Sequence, residues 1–141
     1  MCLDRVLQTF DPPKSVPENW LARLFKLNRG YKVVRLGAEK WQPLFRDGEY
    51  PYNTWLVSNN ETLFRSQFAR FIDNDFAQQE YKSGFHFLKT KKEAYRYAMR
   101  KSLLGDNIVI VPILYKNVVA FGIQNDVYCI VAKEIFVECP T

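Results

Sequence analysis

The apolar positions of this chain repeat with two different periods, and the switch between them sets the expected elements. Trp20, Leu21, Leu24, Phe25 and Leu27 recur at helical spacing. Ser15 stands where a cap would, Pro17 suits a first turn and Glu18 completes a capping box, so a helix is expected to start at Ser15 and to stop at Gly30. Tyr31 to Leu36 then alternates as a strand does, with Tyr31, Val33 and Arg35 on one face. Residues 37–60 carry Pro43, Gly48, Pro51 and several Asn, which predicts loop with short extended pieces. Trp41, Phe45, Tyr50, Tyr52 and Trp55 lie inside it, so the loop is expected to wrap the domain or line a cleft.

Further along, Leu63, Phe64, Phe68, Phe71 and Ile72 fall near one helical face, which predicts a helix over 61–72 closed by Asp73-Asn74-Asp75. Gly84 to Leu88 reads as a short strand. Thr90-Lys91-Lys92-Glu93 is a capping box, a threonine followed three residues later by glutamate, and opens a helix expected to run to about Leu104 and end at Gly105. Beyond it, 108–114, 118–121, 127–131 and 134–137 are four strand candidates joined by short polar connections, so antiparallel pairing is expected. Pro112 implies an edge position or a bulge. Asp11-Pro12-Pro13-Lys14 breaks the start of the chain, so residues 1–14 read as an N-terminal arm and 15–141 as a single α+β domain: an antiparallel C-terminal sheet packed with two or three helices.

Composition agrees with a packed chain. Of the 141 residues 48% are hydrophobic and 16% aromatic, with 11 Phe, 8 Tyr and 3 Trp, so aromatic rings must build much of the core. The net charge of +5 favours encounter with a polyanion and argues against an acidic mimic of DNA. Cys2, Cys129 and Cys139 show no disulfide or metal-ligand spacing, so no metal and no resident cofactor are expected. The first residues hold no signal-peptide apolar core, and no stretch approaches the ~20 apolar residues that span a bilayer. A cytoplasmic protein without a membrane partner is expected.

Three groups carry candidate chemistry. His86 is the sole histidine and alternates with Phe85 and Phe87. It is either a ligand-binding or acid–base group, or a half-buried histidine bonded to a neighbouring loop. The segment 82–101 holds seven basic residues against one acid, with Tyr81, Tyr95 and Tyr97 interleaved. Lys89, Lys91, Lys92, Arg96 and Tyr97 are therefore candidates to hold a phosphate or a nucleic-acid strand, and the ordinary alternative is a solvated helix face. Glu134, in an apolar strand-like run, is either a functional carboxylate or an outward strand residue in an ion pair.

Gly84-Phe85-His86-Phe87, followed by Thr90, Glu93-Ala94 and Tyr97-Ala98, resembles the strand–turn–helix of ADP-ribosyltransferase-like folds. His86 then takes the place of a tyrosine, the strand with Arg35 resembles the first strand of arginine-type members, and Glu134 stands near their late-strand acid. The resemblance implies a split sheet and an enzyme acting on NAD or on an ADP-ribose or phosphate ester. In it Arg35 would hold phosphate, His86 would line the ribose or nicotinamide pocket, and Glu134 would stabilise developing positive charge. Residues 81–137 are also similar to small uncharacterised proteins of phages and bacteria, which implies an inhibitor of a host or defence factor. Charge and aromatics without a complete catalytic set favour a small basic binding protein, whose partner is a protein or a nucleotide-like, phosphorylated ligand. Nucleic acid belongs to the same class.

Overall fold

The computed structural model describes residues 3, 5–15, 28–36, 41–42, 51, 53–58, 63–65, 70–72, 75–77, 80–100 and 108–138. They form eleven strands and one helix: β1 (Arg5–Lys14), β2 (Arg29–Leu36), β3 (Trp41–Gln42), β4 (Trp55–Val57), β5 (Leu63–Arg65), β6 (Arg70–Ile72), β7 (Asp75–Ala77), β8 (Glu80–Lys82), β9 (Phe85–Phe87), α1 (Lys91–Arg100), β10 (Ile108–Gln124) and β11 (Val127–Val137). Every strand pairing is antiparallel, and the main sheet curls into a half-barrel. The expected α+β domain with two or three helices and a split sheet is therefore corrected to a mainly β fold with one helix among the described residues.

The long hairpin of β10 and β11 organises the sheet. One edge of β10 takes β2 along 108–114 and β1 along 118–123; its other edge takes β11 from Ile113↔Val137 to Gln124↔Val127. The free edge of β11 takes β9 at 130–132 and β4 at 134–136. β2 and the end of β9 then meet: Tyr31 and Leu88 exchange backbone hydrogen bonds of 2.7 and 2.9 Å, which closes a ring of strands. Gly30 permits this curl. A Cβ there would lie 2.5 Å from the Phe87 ring, so Gly30 serves a close approach within β2 and does not end a helix as expected.

The four expected C-terminal strands are two. Lys116-Asn117 and Ala132-Lys133 read locally as turns, but Asn117 (φ 60°) sits in the left-handed region inside a continuing strand, next to a register shift between Val118 and Ala120. The true reversal is Asn125-Asp126, both with positive φ as a two-residue hairpin turn requires. Pro112 also fits the continuous strand. Tyr115 N–H donates to Asn28 O, so alternation turns the Pro112 nitrogen away from β2, toward the side where β11 ends at Val137.

The helix expected over 61–72 is also corrected, since β5 and β6 fall within it and pair with β8 and β7. Apolar residues at helical spacing are satisfied equally by two short hairpin strands once partners further along the chain are available. Of the helix expected from Ser15, residues 16–27 lie outside the described residues, as do Phe45, Tyr50 and Tyr52 of the aromatic loop. β1 lies within the segment expected as an arm. Its pairing is interrupted between Thr9 and Lys14, around Pro12 and Pro13, which have no N–H to give.

The core forms two clusters. One joins Leu3, Val6, Val33, Val119, Val127, Cys129 and Val131 to Ala94, Tyr97 and Ala98 of α1. The other gathers Val34, Phe87, Val111, Ile113, Tyr115, Ile135 and Val137.

Candidate functional site

α1 begins as its sequence dictates. Thr90 Oγ1 accepts the Glu93 N–H at 3.1 Å, which meets one of the helix's otherwise unpaired donors, and Thr90 O accepts the Ala94 N–H at 3.0 Å as the first intrahelical bond. Ala94, Tyr97 and Ala98 are all but fully buried, the two alanines letting the helix lie close to the sheet. Helical geometry then sends Lys91, Lys92, Tyr95, Arg96 and Met99 outward, and all five are exposed. Lys92 and Arg96 are one turn apart and like-charged, and no described acid pairs with either, or with Lys91. Tyr97, grouped in the sequence with these cations, lies on the buried side.

Lys89 precedes the cap and is held differently. Its Nζ donates to Arg29 O and to the Tyr115 hydroxyl, both at 3.2 Å, and stands 5.2 Å from the centre of the Tyr115 ring. Burial pushes the Lys89 ammonium below its ordinary value of 10.5 and the Tyr115 phenol above 10.0, because both charged forms lose water. Arg29 pairs with Glu138 at 3.0 Å beside them. The result is a half-buried cationic corner where β2, β10 and the start of α1 converge.

His86 is turned away from solvent. It is 4% exposed, with Nε2 2.9 Å from the Tyr81 hydroxyl. That hydroxyl also accepts the Leu3 N–H at 2.8 Å, so it joins Leu3 and His86 through one oxygen. Lys32 Nζ, also buried, donates to His86 O at 2.7 Å. These bonds tie Leu3, β2, β8 and β9 together.

Arg35 and Glu134 belong to other neighbourhoods. Arg35 is exposed on β2, opposite Ile108 and Gln42. Glu134 lies between Lys116 and Val57 in the sheet and accepts a short hydrogen bond from Asn117 Nδ2. Lys116 Nζ sits 4.0 Å from the centre of the Trp55 ring, and Trp55 packs against Phe136. The fold thus gathers Lys89, Lys91, Lys92 and Arg96 along α1 and its approach, and gives Arg35, His86 and Glu134 separate surroundings.

Sequence reasoning missed the Tyr81–His86 pair, the Lys89–Tyr115 contact and a stacked pair, Phe121 with Tyr128. The first two join segments that no periodicity connects. The third had no pattern to mark it, since residues 127–131 are a continuous apolar run. Among the described residues no group of three or more His, Cys, Asp or Glu is placed to hold a metal ion, and no helix is long and apolar enough to cross a membrane. No protein-family model matches the chain, and no curated protein or solved structure shows significant similarity to it.

Proposed function

We propose that the protein is a small basic binding module that captures a phosphorylated, nucleotide-like ligand on the outward face of α1. Lys91, Lys92 and Arg96 contact the phosphate and Lys89 flanks it. The observation that supports this reading is the pairing of two unlike faces on one short helix. One is buried in the core; the other holds three exposed cations with no described acidic partner. Lys92 and Arg96 repel one another by about 0.2–0.5 kcal/mol at this spacing, a cost that a bound anion reverses. The positive end of the helix dipole adds to the attraction at Lys91 and Lys92. Tyr95, 52% exposed, offers a ring beside the cations for a base or sugar.

Thermal shift with ADP and ADP-ribose tests the reading. At a ligand concentration near 100 times Kd, mass action stabilises by about 2.7 kcal/mol, roughly 5–10 °C for a chain of this size. The shift is expected for the natural protein and absent in the Lys91→Glu/Lys92→Glu/Arg96→Glu variant. No shift with either ligand, or an equal shift in the variant, contradicts it.

A further inference from the structure

Where β1, β10 and β11 run side by side, one face of the sheet is covered and the other is open. Register defines the open face in two rows: Arg5–Ile123–Tyr128 and Gln8–Phe121–Ile130. The residues between them, such as Val6, Ala120, Cys129 and Val131, are buried against the cluster that includes α1. On the open face Tyr128 is 54% exposed, Phe121 and Ile123 are partly buried, and Ile130 packs against the second core cluster. The rings of Phe121 and Tyr128 stack nearly parallel, 11° apart, with centroids at 5.5 Å.

We propose that this open face binds single-stranded nucleic acid, with bases stacking on Tyr128 and Phe121 and phosphates meeting Arg5 and Lys14. The exposed ring of Tyr128, backed by the nearly parallel ring of Phe121, presents a π-surface that accepts any base, unlike the interlocking aliphatic groups of a dry protein interface. The charge fits the same occupant. Arg5 is exposed in the row of Tyr128, two strand spacings or about 10 Å away, which lets a base lie on the ring while its backbone follows the edge strand. Lys14 is exposed at the other end of β1, 5.6 Å from the centre of the Phe10 ring. Neither row contains an acidic residue, and the whole chain carries +5. A duplex keeps its bases stacked on each other and cannot use such a platform. The proposal stands apart from the reading of α1, which packs against the opposite side of this part of the sheet.

Fluorescence anisotropy with a labelled oligodeoxythymidine of about twelve nucleotides tests it. Saturable binding is expected, weaker by about tenfold in Tyr128→Ala and retained in Tyr128→Phe. Tyr128 is half in solvent, so the alanine variant keeps its fold, which far-UV circular dichroism verifies. Arg5→Gln is expected to reduce the slope of log affinity against log salt by about 0.7, the release expected for one single-strand phosphate contact. The proposal is overturned if no saturable binding occurs at about 50 mM salt, if Tyr128→Ala binds as the natural protein does, or if a duplex of equal length binds as tightly as the single strand. Concentration-dependent dimerisation lost in Tyr128→Ala, without oligonucleotide binding, would give the face to a second copy of the chain and overturn it too.

Discussion

Gly122→Ala is the sharpest probe of how the sheet is assembled. Gly122 lies on β10 between Val6 of β1 and Cys129 of β11. A Cβ built there stands 2.2 Å from the Arg5 carbonyl oxygen and 2.8 Å from Leu3 Cδ1. The glycine is not in the left-handed region, so alanine meets no backbone penalty and the substitution tests the contact alone. Leu3 Cδ1 can rotate aside, but a backbone oxygen cannot, so β1 must step away by roughly 1 Å to restore van der Waals distance. Overpacking of this kind costs about 1–3 kcal/mol. The cost is capped by what holds β1 in place, since the strand can leave instead. Burial of Leu3 and Val6 contributes about 1.5–3 kcal/mol each and the Leu3–Tyr81 hydrogen bond about 1 kcal/mol. The expected loss is therefore about 1–3 kcal/mol, or a fall in Tm of about 4–12 °C. Hydrogen exchange resolves the two routes. If β1 leaves, amides of residues 5–14 lose protection while those of α1 and of the β10–β11 hairpin keep theirs. A Tm within about 1 °C of the natural protein, with exchange in β1 unchanged, would refute the argument.

Other perturbations follow from described contacts. Tyr81→Phe takes away the acceptor of the buried Leu3 N–H and the phenolic partner of His86, so a urea titration is expected to show a loss of about 1–3 kcal/mol; less than half a kcal/mol would show that the bond does not anchor β1. Thr90→Ala removes the side-chain cap of α1 and is expected to cost about 1 kcal/mol by the same method, while Thr90→Ser leaves stability nearly unchanged. Lys89 gives a pH signature. Its folded ammonium is held below 10.5, so the unfolded chain binds more protons as pH nears that value, and stability relative to Lys89→Met should rise with pH there. Tyr115, raised above 10.0, acts oppositely and withdraws stability once pH passes 10.0. A pH-independent difference between the natural protein and Lys89→Met would remove the Lys89 argument.

What the sequence revealed was what is decided locally. Thr90 and Glu93 lie within one helical turn, and the threonine half of the expected capping box formed, while Glu93 Oε2 has no hydrogen-bond partner among the described residues. The run 31–36 marked β2, which has both faces covered, Val33 by one cluster and Val34 by the other. The expectation failed where partners are remote. Leu63 and Phe71 can serve a helix or two hairpin strands, and Lys82 and Ala77, the residues opposite Leu63 and Arg70, decide between them. Asn117 has the chemistry of a turn residue, but the strand around it continues because Lys116 and Val118 both find partners on β11. The cations of α1 were legible because helical spacing alone separates them from Ala94 and Ala98. The burial of His86 was not, since its described partners are Tyr81 on β8 and Lys32 on β2.

The position of β10 late in the chain has a consequence for synthesis. A ribosome releases the chain from its N-terminus, so β1 and β2 emerge long before residues 108–123, their partners on β10. Until then Val6, Val33 and Val34 have no strand of β10 to lie beside, and β1 and β2 present unpaired edges. A nascent chain in that state needs either speed of translation or a chaperone to keep it from other chains. The hairpin of β10 and β11, whose two strands are close in sequence, emerges after β1 and β2 and is the template on which they assemble.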